Sequence, residues 1–82
     1  MSSKKELERI RGQIDDLDKE LLKLLNLRST LARKAAKAKK DRVIYKSDRE
    51  ALIFRNLKRI NEGPLNDQQV NSIFKEIKAS HP

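Results

Sequence analysis

The chain has 82 residues, about the size of one small domain, with 37% hydrophobic residues and a net charge of +8. A monomer this short buries only about 60% of the surface of its unfolded chain, so its own core would be marginal. The sequence has no cysteine, no apolar run long enough to span a bilayer, and no apolar segment of a signal peptide at its start. These features exclude disulfide-rich, cysteine-zinc and membrane-spanning proteins, and we expect a cytoplasmic protein.

The excess positive charge is concentrated in one segment. Residues 1–27 carry six basic and six acidic side chains, whereas residues 28–59 carry twelve basic and three acidic ones. A block of this kind indicates either an anionic ligand or a solvated helix face. A basic helical dimer that binds nucleic acid is therefore an alternative, although the spacing of a helix-turn-helix motif is absent.

Apolar residues follow a heptad pattern through the first half of the chain. We call the following residues the apolar stripe: Leu7, Ile10, Ile14, Leu17, Leu21, Leu24, Leu31, Ala35 and Ala38. Such a stripe is typical of a long helix that packs along another helix. A helix over about residues 5–40 would be about 50 Å long, whereas a compact chain of this size has a radius of gyration of about 12 Å. We therefore expect an intertwined helical homodimer.

The next part of the chain predicts a connection followed by a second helix. Residues 41–46 interrupt the helical pattern and form the predicted connection. Ser47 and Glu50 then match a capping box, in which serine precedes the helix and glutamate lies three residues later. The second helix is predicted over about 47–62.

A glycine–proline pair at residues 63–64 is expected to end the second helix. Asn66 or Asp67 can cap a third helix, which is predicted over about 66–80. The pattern contains no strand-like alternation. The predicted fold is all-α, a single domain over 1–82 with one long N-terminal helix and two shorter helices.

Arg28 occupies the position of the apolar stripe between Leu24 and Leu31, where packing alone would favour leucine. A charge in a helix–helix seam loses hydration and needs a counter-charge or a ligand. One interpretation is an ion pair with Asp18 or Glu20 of a partner helix. The other is a site for an anion.

Two further cations lie on the same predicted helix. Lys39 is eleven residues after Arg28, about 16 Å along one face, so the two long side chains could bracket a small dianion. Arg11 lies about 42 Å along the axis from Lys39. If Arg11 serves the same anion, it must come from the other subunit of an antiparallel pair.

The remaining candidates lie near the second helix and at the end of the chain. Glu50 has a structural role as the capping-box acid, whereas Arg49 opposes the helix dipole unless an anion is nearby. His81, the only histidine, is either part of a frayed end or a catalytic base. No nucleophile–base set, metal-ligand cluster or glycine-rich phosphate loop is present, so an enzyme here would act through orientation and charge stabilisation, without metal or cofactor.

The sequence resembles the all-helical (AroQ-class) chorismate mutases, most of all the mutase domain at the N-terminus of bifunctional chorismate mutase/prephenate dehydratases. The resemblance covers about residues 6–80. It rests on Ile10-Arg11, Ile14-Asp15, Leu17-Asp18, Leu24-Leu25, Arg28, Lys37-Ala38-Lys39, Arg49-Glu50 and Gly63-Pro64-Leu65. It implies the rearrangement of chorismate, a dicarboxylate, to prephenate in phenylalanine and tyrosine biosynthesis, by an all-α homodimer that shares its active sites and binds neither nucleic acid nor membrane.

The resemblance also implies roles for the residues that match. Arg28 and Arg11 of the partner subunit would each hold a substrate carboxylate, and Lys39 would donate to the ether oxygen as negative charge develops there. Glu50 would accept from the ring hydroxyl, with Arg49 supporting the charge balance.

Two departures from the family pattern affect the remaining candidates. Lys46 and Ser47 stand where many relatives have an acidic, aliphatic or arginine residue followed by proline, so we expect any substrate contact of Lys46 to be made through its backbone. Relatives have a serine near the position of His81 and continue for a further turn that carries a glutamine or glutamate. The chain is therefore either an excised domain that is cut short or a mutase with weakened activity. A helical dimerisation or regulatory module with an inactive mutase site is the remaining alternative.

Overall fold

The computed structural model describes residues 2–38 and 46–80, and all regular secondary structure in these two stretches is helical. The helices are α1 (Ser2–Ala38), α2 (Lys46–Ile60) and α3 (Asp67–Ala79). The predicted all-α fold with one long and two shorter helices is confirmed. None of the helices in the described stretches is long and apolar enough to cross a membrane.

The chain divides into two compact units, Met1–Leu31 and Ala32–Pro82. In the first unit the described structure is a single helix, the larger part of α1. The leucines and isoleucines of the apolar stripe are 41–68% exposed. This stripe therefore buries little of its apolar surface within the chain. The prediction of a single domain over 1–82 stays a prediction.

In the second unit, α2 and α3 contact each other. Half-buried apolar residues mark one face of each helix, with Ile53, Phe54 and Leu57 on α2 and Phe74 and Ile77 on α3. These positions recur at the i, i+3, i+4 spacing that places side chains on one side of a helix.

Of the residues that the structure describes, one hydrophobic side chain is buried, and it belongs to α3. Val70 is 7% exposed and lies one turn before Phe74 on the same face. An ion pair of 3.9 Å between Lys58 and Asp67 connects the end of α2 with the start of α3. The small core of this unit therefore lies between the two shorter helices.

The turn between α2 and α3 is organised by Asn61. Its side-chain Nδ2 donates to the carbonyl of Leu65 at 2.7 Å, and its Oδ1 accepts from the backbone N–H of Gly63 at 3.0 Å. Gly63 has φ of +82°, a left-handed conformation in which a residue with a Cβ would be strained. One side chain thus spans both ends of the turn that directs α3 back towards α2.

The predicted position of Ser47 in α2 is wrong, whereas the predicted end of the helix is close to the observed one. The helix begins at Lys46, so Ser47 lies in its first turn and does not precede the helix as the capping box requires. At the other end α2 stops at Ile60, within two residues of the predicted end at about 62, and the Asn61 side chain hydrogen-bonds to the turn that follows.

The start of α3 agrees with the sequence pattern. Asn66 precedes the helix and accepts a hydrogen bond from the backbone N–H of Gln69 at 2.8 Å. The Gln69 side chain accepts in turn from the backbone N–H of Asn66 at 2.9 Å. Of the two predicted caps, Asn66 is therefore the correct one, and it forms a reciprocal capping box.

Candidate active site

Arg28 lies on a half-buried strip of α1. Leu25, Arg28, Ser29 and Ala32 are half-buried at the i, i+3, i+4, i+7 spacing, while the adjacent stripe residues are exposed. The ion pairs of the described residues are Glu6–Arg9, Glu20–Lys23 and Lys58–Asp67, so none of them neutralises Arg28. The guanidinium of a half-buried arginine without a described carboxylate partner is suited to binding a ligand carboxylate through two parallel hydrogen bonds.

Arg11 is exposed on the same helix as Arg28. The two residues are 17 positions apart, which corresponds to about 25 Å along the axis of α1. That separation is too large for both guanidinium groups of one chain to hold one small molecule. The two arginines can serve the same ligand only if each comes from a different copy of the chain.

Arg49 and Glu50 lie in the first two turns of α2, in the second unit. Arg49 is exposed, whereas Glu50 is half-buried. Glu50 precedes Ile53 and Phe54 by three and four residues, so it extends the inner face of α2 towards the start of that helix. A carboxylate in this position can accept a hydrogen bond from a hydroxyl group of a ligand.

The other predicted site residues are only partly covered by the structure. Lys39 and His81 lie outside the described residues. Lys46 is the first residue of α2, and its side chain is not among those described. The roles predicted for these three residues stay predictions.

Half-burial distinguishes a few charged residues from the rest. Of the charged residues whose side chains the structure describes, three are half-buried: Arg28, Glu50 and Lys78. The first two are site residues predicted from the sequence. Lys78 is not among the residues predicted from the sequence. Its spacing offers a signal, because it lies four residues after Phe74 and eight after Val70 on one helical face.

Comparison with known proteins identifies a family. The family model described as chorismate mutase type II matches residues 10–80. Similar curated proteins are bifunctional chorismate mutase/prephenate dehydratases from Pseudomonas aeruginosa, 32% identical over 87 aligned positions, and from Neisseria gonorrhoeae, 36% identical over 67. The alignments cover 98% and 82% of this chain, but the chain spans only 24% and 18% of those relatives. No solved structure matched the chain significantly.

Proposed function

Because the chain belongs to the chorismate mutase type II family, we propose that it catalyses the rearrangement of chorismate to prephenate in aromatic amino acid biosynthesis. The family match over residues 10–80 is the observation that carries this proposal. It is supported by the half-burial of Arg28 and Glu50, two of the residues that the sequence predicts for the site. The relatives combine two activities in longer chains, and only the mutase activity is proposed for this one.

The reaction is an intramolecular rearrangement in which a C–O ether bond breaks as a C–C bond forms. No atom leaves the substrate and no proton is transferred, so orientation and stabilisation of developing charge are the means of catalysis. Arg28 would hold one carboxylate and fix its direction through two hydrogen bonds. Lys39 would donate to the ether oxygen as negative charge develops there, and Glu50 would accept from the ring hydroxyl.

The proposal includes a homodimer with shared sites. The exposed apolar stripe of α1 is a surface that a second copy of the same helix can cover. Because Arg11 and Arg28 of one chain are about 25 Å apart, the second carboxylate would be held by Arg11 of the partner subunit. A cytoplasmic location is also part of the proposal, and fractionation of cells expressing the protein would test it.

The decisive test follows the loss of chorismate absorbance in the ultraviolet with wild-type protein and an Arg28→Ala variant. The wild type should convert chorismate, and the variant should lose about 100-fold or more in kcat/KM, because one end of the substrate is no longer held. Arg33→Ala is the matched control, since Arg33 is an exposed arginine five residues further along α1. Its activity should stay unchanged.

Two results would contradict the proposal. If micromolar wild-type protein does not convert chorismate, the proposed mutase function is refuted. If Arg28→Leu kept full turnover and raised the melting temperature, Arg28 would be part of a structural ion pair and not of the site.

The shared site has its own test. Arg11→Ala and Lys39→Ala, each inactive alone, should recover about a quarter of the wild-type activity when mixed, because half of the dimers are mixed and each holds one intact site. Proven heterodimers without any recovery would refute the shared geometry.

A further inference from the structure

Lys78 is the one half-buried charged residue of the described part that the proposed site does not use. It lies in the last turn of α3, eight residues after the buried Val70. Lysine is among the residue types least often buried, because its ammonium group is strongly hydrated. None of the ion pairs among the described residues includes Lys78, so its ammonium has no described carboxylate within 4.0 Å.

Lys78 and Glu50 belong to the same end of the second unit if α2 and α3 form an antiparallel hairpin, as their contact and their short connection indicate. The ion pair between Lys58 and Asp67 holds the end of α2 beside the start of α3, and only residues 61–66 connect them. Half-buried faces continue along both helices from this point, as expected of an antiparallel helical hairpin.

The distances along the two helices are similar, and a side chain can span the difference. Glu50 is eight residues back from Lys58, about 12 Å along α2, whereas Lys78 is eleven residues on from Asp67, about 17 Å along α3. The difference of about 5 Å is within reach of a long lysine side chain. Both residues therefore end the inner faces of their helices at one end of the hairpin, and we call this end the Glu50 end.

A dicarboxylate bound at the Glu50 end would bring two negative charges near a half-buried carboxylate. Like charges in a partly desolvated setting repel strongly, so such a ligand needs nearby cations. Arg49 supplies one on α2 and is exposed. Lys78 would supply a second cation from the facing helix, where its half-buried stem fixes the direction of the side chain.

We propose that Lys78 is a substrate-binding residue whose ammonium contacts a carboxylate of the bound dicarboxylate at the Glu50 end of the hairpin. The inference rests on the proposed function and extends it by one residue. In this proposal Lys78 increases the affinity for the bound substrate and does not lower the reaction barrier, because it contacts a carboxylate and not the atoms between which bonds change. The residues that act on the breaking and forming bonds remain those named under the proposed function.

The test measures steady-state kinetics with chorismate for Lys78→Met, Lys78→Arg and Lys75→Met. Lys78→Met keeps the length and apolar stem of the side chain, and it should raise KM about tenfold with little change in kcat. Lys78→Arg should restore KM to near the wild-type value, since it retains the charge. Lys75→Met is the matched control, because Lys75 is exposed on the same helix, and its KM should equal that of the wild type.

Thermal unfolding separates this role from a structural one. A lysine in the last turn also interacts favourably with the helix dipole, so a purely structural role predicts a lower melting temperature for Lys78→Met with KM unchanged. That result would overturn the inference, and so would a Lys78→Met variant whose KM matches that of Lys75→Met. A loss of kcat that Lys78→Arg does not restore would overturn it as well.

The wild-type protein distinguishes failure of this inference from failure of the proposed function. If the wild type converts chorismate and Lys78→Met behaves like the control, only the role of Lys78 is refuted. If the wild type neither converts chorismate nor binds it in equilibrium dialysis, the proposed function fails and the inference falls with it. If the wild type binds chorismate without converting it, the same dialysis should show about tenfold weaker binding for Lys78→Met, and equal binding would refute the role.

Discussion

Truncating Leu17 should weaken association of the chain with a second copy. Leu17 is 68% exposed, more than any other leucine or isoleucine of the apolar stripe, so dimer formation can bury the most leucine surface at this position. Full burial of a leucine side chain stabilises by about 1.5–3 kcal/mol, and burying the exposed two thirds by about 1–2 kcal/mol. A symmetric dimer contains the residue twice, which gives about 2–4 kcal/mol per dimer. Leu17→Ala should therefore raise the dimer Kd about 30- to 700-fold.

Sedimentation velocity over a dilution series measures this effect directly, with circular dichroism at each concentration to follow helix content. Wild-type protein should sediment as a dimer at micromolar concentration, and its melting temperature should rise with concentration because dimerisation stabilises the folded chain. The Leu17→Ala variant should dissociate at a higher concentration and melt at a lower temperature.

Lys19→Ala provides the control for this experiment. Lys19 is exposed on α1 about 200° around the helix from Leu17, opposite the stripe. Its substitution should leave the dimer Kd unchanged. A folded wild-type monomer at high micromolar concentration, or equal Kd values for Leu17→Ala and wild type, would refute the assignment of the stripe to self-association.

Two further predictions concern stability. Gly12→Ala should stabilise the protein by about 1 kcal/mol, because a Cβ built at Gly12 meets nothing within 4 Å and alanine favours the helix. Chemical denaturation should show a higher midpoint for the variant than for the wild type. A lower midpoint would contradict the open space at this position. Asn61→Ala should destabilise by about 1–2 kcal/mol through loss of both turn hydrogen bonds, seen as a lower melting temperature. Asn56→Ala, at an exposed position of α2, is its control, and an equal loss in both variants would mean that the turn contacts contribute little.

Much of the fold was predictable because its determinants are local in the sequence. The stripe from Leu7 to Leu31 specifies a long helix through spacing alone, and α1 covers it. The cap at Asn66 was predictable as one of two options for the same reason, since a cap and its partner are three residues apart. A charged residue within an apolar pattern also indicates a candidate site. Arg28 stood out because an arginine interrupted an apolar pattern, and it is half-buried.

The features that were missed depend on contacts between segments. Ser47 is an exception, because its match to a capping box is local and α2 nevertheless begins one residue earlier, at Lys46. The end of α2 depends on Asn61 reaching the carbonyl of Leu65, a contact that exists only once the turn has formed. Lys78 cannot be distinguished from an exposed lysine in the sequence, because its half-burial depends on the packing of α3 against α2.

Exposure of the apolar stripe has a consequence for how the protein reaches its working state. When the partner of a helix is another molecule, the last folding step is bimolecular and its rate depends on concentration. At about 1 μM chain and an association rate constant of about 10⁶ M⁻¹ s⁻¹, a newly made chain waits about one second for its partner. During that second the leucines of α1 are open to any other apolar surface. If the proposed homodimer forms, the level of expression would therefore set the balance between assembly and aggregation.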